Sequence, residues 1–143
     1  MSKLLDQIKR DEGCVKENGL HVPYQDSEGY WTIGYGILID PKAGGGLSEK
    51  EAEWLLRNRV HETEQELREN FPKAIGWMNP TRYHAFVNQA YNLGLTRLRG
   101  FKKQLAALAV GDFDTAAKEA LDSKWAKQVK GRADRIAEAY RNG

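Results

Sequence analysis

Between Asp11 and Gly36 the sequence reads DEGCVKENGLHVPYQDSEGYWTIGYG. Five carboxylates fall in its first eighteen residues, and aromatics and glycines follow. Asp26 opens the turn QDSEG, and Thr32 stands six residues on, in a run of strand composition. Six residues across a tight turn return the chain close to itself, so the two oxygens can meet around one water. A carboxylate and a hydroxyl sharing a water can activate it as a nucleophile. The plainer reading makes Asp26 the Asx residue of its turn and Thr32 an ordinary strand threonine.

Glu12 is the first candidate for a partner. It stands at the end of a short helix predicted by Leu4, Leu5 and Ile8 and stopped by Gly13. The C-terminal end of the macrodipole raises a carboxyl pKa, which suits a general acid. The plainer reading is a frayed, solvated glutamate. Glu17 is the second candidate, in the polar stretch KENG, read as a loop. One acid and one base are the minimum for cleaving a glycosidic bond. If a water must fit between them, their separation is roughly 6.5–9.5 Å and the configuration inverts.

The elements that must hold these groups follow from the pattern. Val22 to Ile39 reads as a small antiparallel sheet, and DPKAGGG at 40–46 as a flexible loop. Ser48 and Glu51 form a capping box. Ala52, Leu55, Leu56, Val60, Thr63, Leu67 and Phe71 then share one face of a long helix that Pro72 ends. Asn79-Pro80 opens another helix, with Tyr83, Phe86, Val87, Ala90 and Tyr91 inward and Gly94 as its stop. Further helices are predicted over 101–110, 112–122 and 131–141. One helix, a small sheet and a helical remainder make an α+β protein with the sheet at one end.

The 143 residues fit one domain. A net charge of +2 tolerates an anionic polymer but lacks the dense basic patch of a nucleic-acid binder. With Cys14 as the one cysteine, an intrachain disulfide and a Cys-rich metal site are excluded, and a reducing compartment is expected. His21, His61 and His84 lack metal-ligand spacing, and His21 reads as a loop residue. No phosphate loop, serine elbow or dinucleotide fingerprint occurs. MSKLLDQIKRDEG has no apolar run of signal-peptide length, and no stretch nears the roughly 20 apolar residues of a membrane span. No membrane insertion is expected. Lys102, Lys103 and the basic residues at 124–135 read as solvated faces able to attract an anionic wall.

RDEG at 10–13, YQDSEGYWTIGYG at 24–36, GLSEKEAEWLL at 46–56, NQAYNLG at 88–94, GF at 100–101 and SKWAKQVKGRADRI at 123–136 resemble the phage-type lysozymes. These are endolysin muramidases of glycoside hydrolase family 24. The resemblance covers nearly the whole chain, in order. It implies a lysozyme-like α+β fold over 1–143, with a β lobe at about 14–46 and a helical lobe at about 1–13 and 47–143. A long helix joins the lobes, and the cleft between them is the active site. It implies hydrolysis of the β-1,4 bond between N-acetylmuramic acid and N-acetylglucosamine in bacterial peptidoglycan, with no cofactor or metal. Glu12, Asp26 and Thr32 take the catalytic positions. Arg132 is expected to pair with Glu12, and Arg135 with Asp11. Gly36, Leu38, Tyr91, Asn92, Gln104 and Glu119 fall where the family lines its sugar cleft, and Trp125 at a packing position behind it. The implied setting is a monomer made in a host cytoplasm, let through to the periplasm by a membrane holin, with a Gram-negative host.

The chain departs from the family at three places. Thirteen residues separate Glu12 from Asp26, where the family usually has eight. Spacing thus favours Glu17 and context favours Glu12. We side with Glu12, because an acid needs a rigid element to hold it. The extra residues around ENGLHV then read as a longer lip on the cleft mouth. Ile37 replaces the histidine that often follows GYG. The β lobe is also short, since the 40–46 segment reaches the long helix quickly. Two other classes compete. A lytic transglycosylase needs no Asp-Thr water site, and an inactive wall-binding module needs no acid.

Overall fold

The computed structural model describes residues 1–143. Helix α1 covers Ser2–Glu12 and ends at Gly13, whose φ of 67° leaves the helical region while its amide closes on the Lys9 carbonyl at 2.9 Å. Glycine takes that φ without steric penalty. Glu12 is thereby the last helical residue, as its position before Gly13 predicts. Leu4, Leu5 and Ile8 form the expected stripe, but all three are exposed.

The next residues differ from expectation. Lys16–Glu17 (β1) and Leu20–His21 (β2) pair as an antiparallel hairpin, with Lys16 opposite His21 and Glu17 opposite Leu20. Asn18 and Gly19 turn the chain at φ 51° and 80°. Two left-handed residues are what the favoured two-residue hairpin turn requires, and Asn-Gly supplies them. Glu17 therefore stands on a strand, not in a loop.

A second sheet follows, with order β3-β4-β5 from Tyr24–Gln25, Trp31–Ile33 and Ile37–Leu38. Thr32 lies on the central strand, opposite Tyr24 on one side and Leu38 on the other. That central place buries it to 4% exposure.

The 40–46 segment is built rather than flexible. Asp40 is buried, its Oδ2 accepting from the Trp31 amide at 3.1 Å and its Oδ1 from the Lys42 amide at 3.0 Å. It thereby caps a 3₁₀ turn at Pro41–Ala43. The Gly45 amide bonds the Asp40 carbonyl at 2.8 Å, and the Gly46 amide bonds that of Leu38 at 3.1 Å. A Cβ on Gly45 would stand 2.8 Å from both Asp40 N and Leu38 C. Gly45→Ala is therefore expected to cost about 1–3 kcal/mol through backbone displacement. Amide exchange at Trp31 should speed up by about tenfold or more. Unchanged exchange would show that the segment yields without strain.

Packing divides the chain into Met1–Trp54 and Leu55–Gly143. Helix α1 belongs to the unit holding the strands, although the sequence groups it with the helices. Helix α2 (Glu49–Asn70) begins at the expected capping box. The Ser48 amide meets Glu51 Oε1 at 3.0 Å and the Glu51 amide meets Ser48 Oγ at 3.2 Å. The Ser48 amide, then its hydroxyl, holds the Glu51 carboxyl below its usual value. Of the face expected on α2, only Leu67 is buried, with Val60, Thr63 and Phe71 partly so.

The second unit continues with α3 (Pro72–Gly76), α4 (Pro80–Leu93), α5 (Leu95–Arg99), α6 (Lys102–Ala109), α7 (Phe113–Leu121), α8 (Lys124–Val129) and α9 (Gly131–Asn142). Helices α3, α5 and α8 are additional to the sequence reading. At five or six residues they are too short to show a period. Asn79, Asp112 and Ser123 cap α4, α7 and α8 through their side chains. Ala116, Ala117 and Ala120 are fully buried on α7, and such small residues let it close on α6 and α9. Phe86, Leu98, Leu108 and Tyr140 fill the centre. Tyr91, inward by periodicity, is 38% exposed instead. No helix is long and apolar enough to cross a membrane.

Candidate active site

The backbone of residues 26–30 folds around the Asp26 carboxylate. Oδ1 accepts from the amides of Glu28 and Tyr30, both at 2.9 Å. The Asp26 amide returns to the Tyr30 carbonyl at 2.9 Å, and the Gly29 amide to the Asp26 carbonyl at 3.0 Å. The Asx role read from sequence is thus present. Because both amides use Oδ1, Oδ2 is left for a further donor. Thr32 Oγ1 donates to the Tyr30 carbonyl at 3.3 Å. Tyr30 therefore ties both groups, its N–H holding Asp26 and its C=O holding Thr32.

Glu12 meets the same sheet at its other turn. A Cβ on Gly36 would overlap Glu12 Oε2 and stand 2.7 Å from Cδ and 3.2 Å from Cγ. Gly36 also has a φ of 75°. The dihedral favours glycine there, and a Cβ would push the end of the Glu12 side chain aside. The β4–β5 turn thus contacts the glutamate at the end of α1, four residues past Thr32. Leu38 is half-buried on β5, beside Thr32 in the ladder. Arg10 Nε lies 3.3 Å from Asp11 Oδ1, both side chains exposed, so the pair adds little.

Glu17 occupies a different face. Side chains alternate along a strand, so the Glu17–Leu20 pair faces away from the Lys16–His21 pair. His21 is the one that meets the β4–β5 turn, its ring 5.0 Å from Tyr35. Glu17 lines an open groove of about 660 Å³ with Val22, Pro23, Trp31, Ile39, Asp40 and Pro41.

In the second unit, Arg132 donates to Asn88 Oδ1 from Nε at 2.9 Å and from Nη2 at 2.7 Å. Tyr91, Asn88 and Arg132 share a groove of about 460 Å³ with His84 and Leu56. Asn92 Oδ1 accepts from Trp125 Nε1 at 2.7 Å. Trp125 is buried and edge-on to Phe101, in keeping with a packing role. Glu119 is half-buried beside Lys102, Lys103 and Ser123 in a groove of about 340 Å³.

The expectation for Gln104 as a sugar-lining residue is corrected. Gln104 is 1% exposed, and its amide is spent on Gln89 in both directions, at 2.9 and 2.7 Å. Tyr140 OH donates to Gln89 Oε1 at 2.7 Å. Burial pushes the Tyr140 phenol far above its ordinary pKa, so it stays a donor. Sequence reasoning missed this cluster, because a glutamine on an apolar helix face gives no sign of its partner. It also missed Asp40, although Asp-Pro repeats the cap-then-proline pattern recognised at Asn79-Pro80.

A small antiparallel sheet carrying an Asp-Thr hairpin, a glutamate ending a helix against the sheet's other turn, and a helical remainder define a lysozyme-like α+β protein. The family model for phage lysozyme matches residues 9–138, and the chain belongs to that family. It is 29% identical to the pre-baseplate central spike protein Gp5 of Enterobacteria phage T4, over 93% of this chain but 26% of that protein's length. It is 25% identical to probable T4-type lysozyme 1 of Dictyostelium discoideum, over 100% of this chain and 96% of that protein. An endolysin of Acyrthosiphon pisum secondary endosymbiont phage 1 is 29% identical, over 87% of this chain and 79% of that one. The family and these names support a lysozyme-type function.

Proposed function

We propose that the chain is a muramidase that hydrolyses the β-1,4 bond between N-acetylmuramic acid and N-acetylglucosamine with inversion. The observation that carries this is the Asp26–Tyr30–Thr32 arrangement, which anchors one carboxylate oxygen and leaves the other for a water. Glu12 protonates the leaving oxygen. Asp26 Oδ2, with Thr32 beside it, takes the proton of the attacking water, which enters from the opposite side of the sugar ring. Gly36 and Leu38, beside Glu12 and Thr32, line the sugar path on the sheet side. The enzyme works as a monomer without a cofactor, and a holin lets it reach the periplasmic wall from the host cytoplasm.

Digestion of purified peptidoglycan followed by proton NMR tests this. A new α-configured reducing end appearing first supports an inverting hydrolase. An anhydro sugar end would establish a transglycosylase. Binding without release would leave a wall-binding module. Asp26→Asn keeps the Oδ1 acceptor that builds the turn and loses the base. Its rate should fall by about 10²–10⁴-fold with the fold intact.

The likeness to a spike protein favours a second location, in which the same chemistry is carried on the virion. Mass spectrometry of purified particles separates the two. An endolysin occurs in lysates only, and a virion enzyme is retained by the particle.

A further inference from the structure

We propose that the hairpin β1–β2 braces the catalytic end of α1 through His21 and Tyr35. The inference rests on the reading of Glu12 as the acid. Tyr35 sits between Gly34 and Gly36, at φ 63° and 75°, in the β4–β5 turn. Its ring is held from two sides. From α1, Lys9 Nζ stands over it, 5.4 Å from the centroid. From β2, the His21 ring meets it edge-on at 5.0 Å and 68°. The residue after Tyr35 is Gly36, which contacts the Glu12 carboxylate. The chain of contact therefore runs from hairpin to His21, to Tyr35, to the turn that abuts Glu12.

The register assigns this role to one face of the hairpin. His21 and Lys16 share it, and the opposite face carries Glu17 and Leu20, the latter 69% exposed. A lip shaped for sugar would act through the outer face. The inner face instead packs on the turn. His21 Nδ1 is enclosed there without a hydrogen-bond partner. Buried polar atoms normally have one, and an orphan is unfavourable. The ring, not its nitrogen, is thus what the brace uses. His21 and Tyr35 are positioning residues, since neither touches substrate in this scheme.

The test is saturation kinetics on a soluble peptidoglycan fragment, with folding checked by circular dichroism and thermal melting. His21→Ala should lower kcat by about ten- to a hundredfold through a misplaced acid, with KM unchanged. Tyr35→Ala should do the same. Tyr35→Phe and His21→Phe should keep kcat, and the latter should raise Tm by a few degrees, because it removes the orphan atom. Lys9→Met loosens the ring from the α1 side and leaves the hairpin whole. It should lower kcat in the same way, and it reports on the brace should His21→Ala fail to fold. Unchanged kcat in His21→Ala overturns the proposal. So does an effect on KM alone, which is the signature of a lip, or a His21→Phe variant as poor as His21→Ala. Glu12→Gln is run alongside. If it stays active, the acid assignment has failed, whereas a dead Glu12→Gln beside a normal His21→Ala removes only the brace.

Discussion

Glu12→Gln should reduce clearing of outer-membrane-permeabilised Gram-negative cells by about 10²–10⁴-fold, while Glu17→Gln clears at close to the wild-type rate. Both glutamates are exposed, so burial does not separate them. Their supports do. Glu12 ends an eleven-residue helix and is pressed against Gly36, in the sheet that carries Thr32. A general acid must be held within a fraction of an ångström of its target, and a helix packed on a sheet turn can do that. Glu17 sits on a two-residue strand and faces away from the side that touches this turn. Gln is nearly isosteric with Glu, so circular dichroism of both variants should match wild type. A dead Glu17→Gln beside an active Glu12→Gln would mean that the acid is carried by the hairpin, and the brace falls with it.

The largest effect on stability is expected inside the helical unit. Gln89→Leu should cost about 3 kcal/mol and lower Tm on the order of 10 °C. Gln89 is fully buried, and three hydrogen bonds converge on its amide: two with Gln104 and one from Tyr140 OH. Truncating it strands the Gln104 amide and the Tyr140 hydroxyl away from water. An unsatisfied buried group costs about 1–3 kcal/mol each, more than the bond it had contributed. Removing the partners as well should reverse much of the loss. The triple variant Gln89→Leu, Gln104→Leu, Tyr140→Phe is expected to be more stable than Gln89→Leu alone. Calorimetry of the three single variants, Gln89→Leu, Gln104→Leu and Tyr140→Phe, and of the triple decides it. Additive losses would show that packing, not satisfaction of polar groups, dominates this part of the core.

Much of the fold was legible because its signals are local. Gly13 after an apolar stripe, Ser48 with Glu51, and Asn79 before Pro80 each specify a helix end within four residues of chain, and each is found. QDSEG specifies its turn in the same way, since the Asp26 side chain needs only the amides two and four residues on. The Asn18-Gly19 turn is equally local, but the strands it joins are two residues each and show no alternation. Helices of five or six residues are hidden for the same reason.

The α+β order, the helix ends, the turn that holds Asp26 and the placing of Glu12 at the end of α1 are all written in local sequence. Each depends on neighbours along the chain, where hydrogen-bond partners are fixed by spacing. Packing alone sets Gly36 against Glu12, His21 against Tyr35, Asp40 on the Trp31 amide, and Gln104 and Tyr140 on Gln89. Those contacts join residues 9 to 51 positions apart. Their partners are chosen by how strands and helices pack, which no short window of sequence contains.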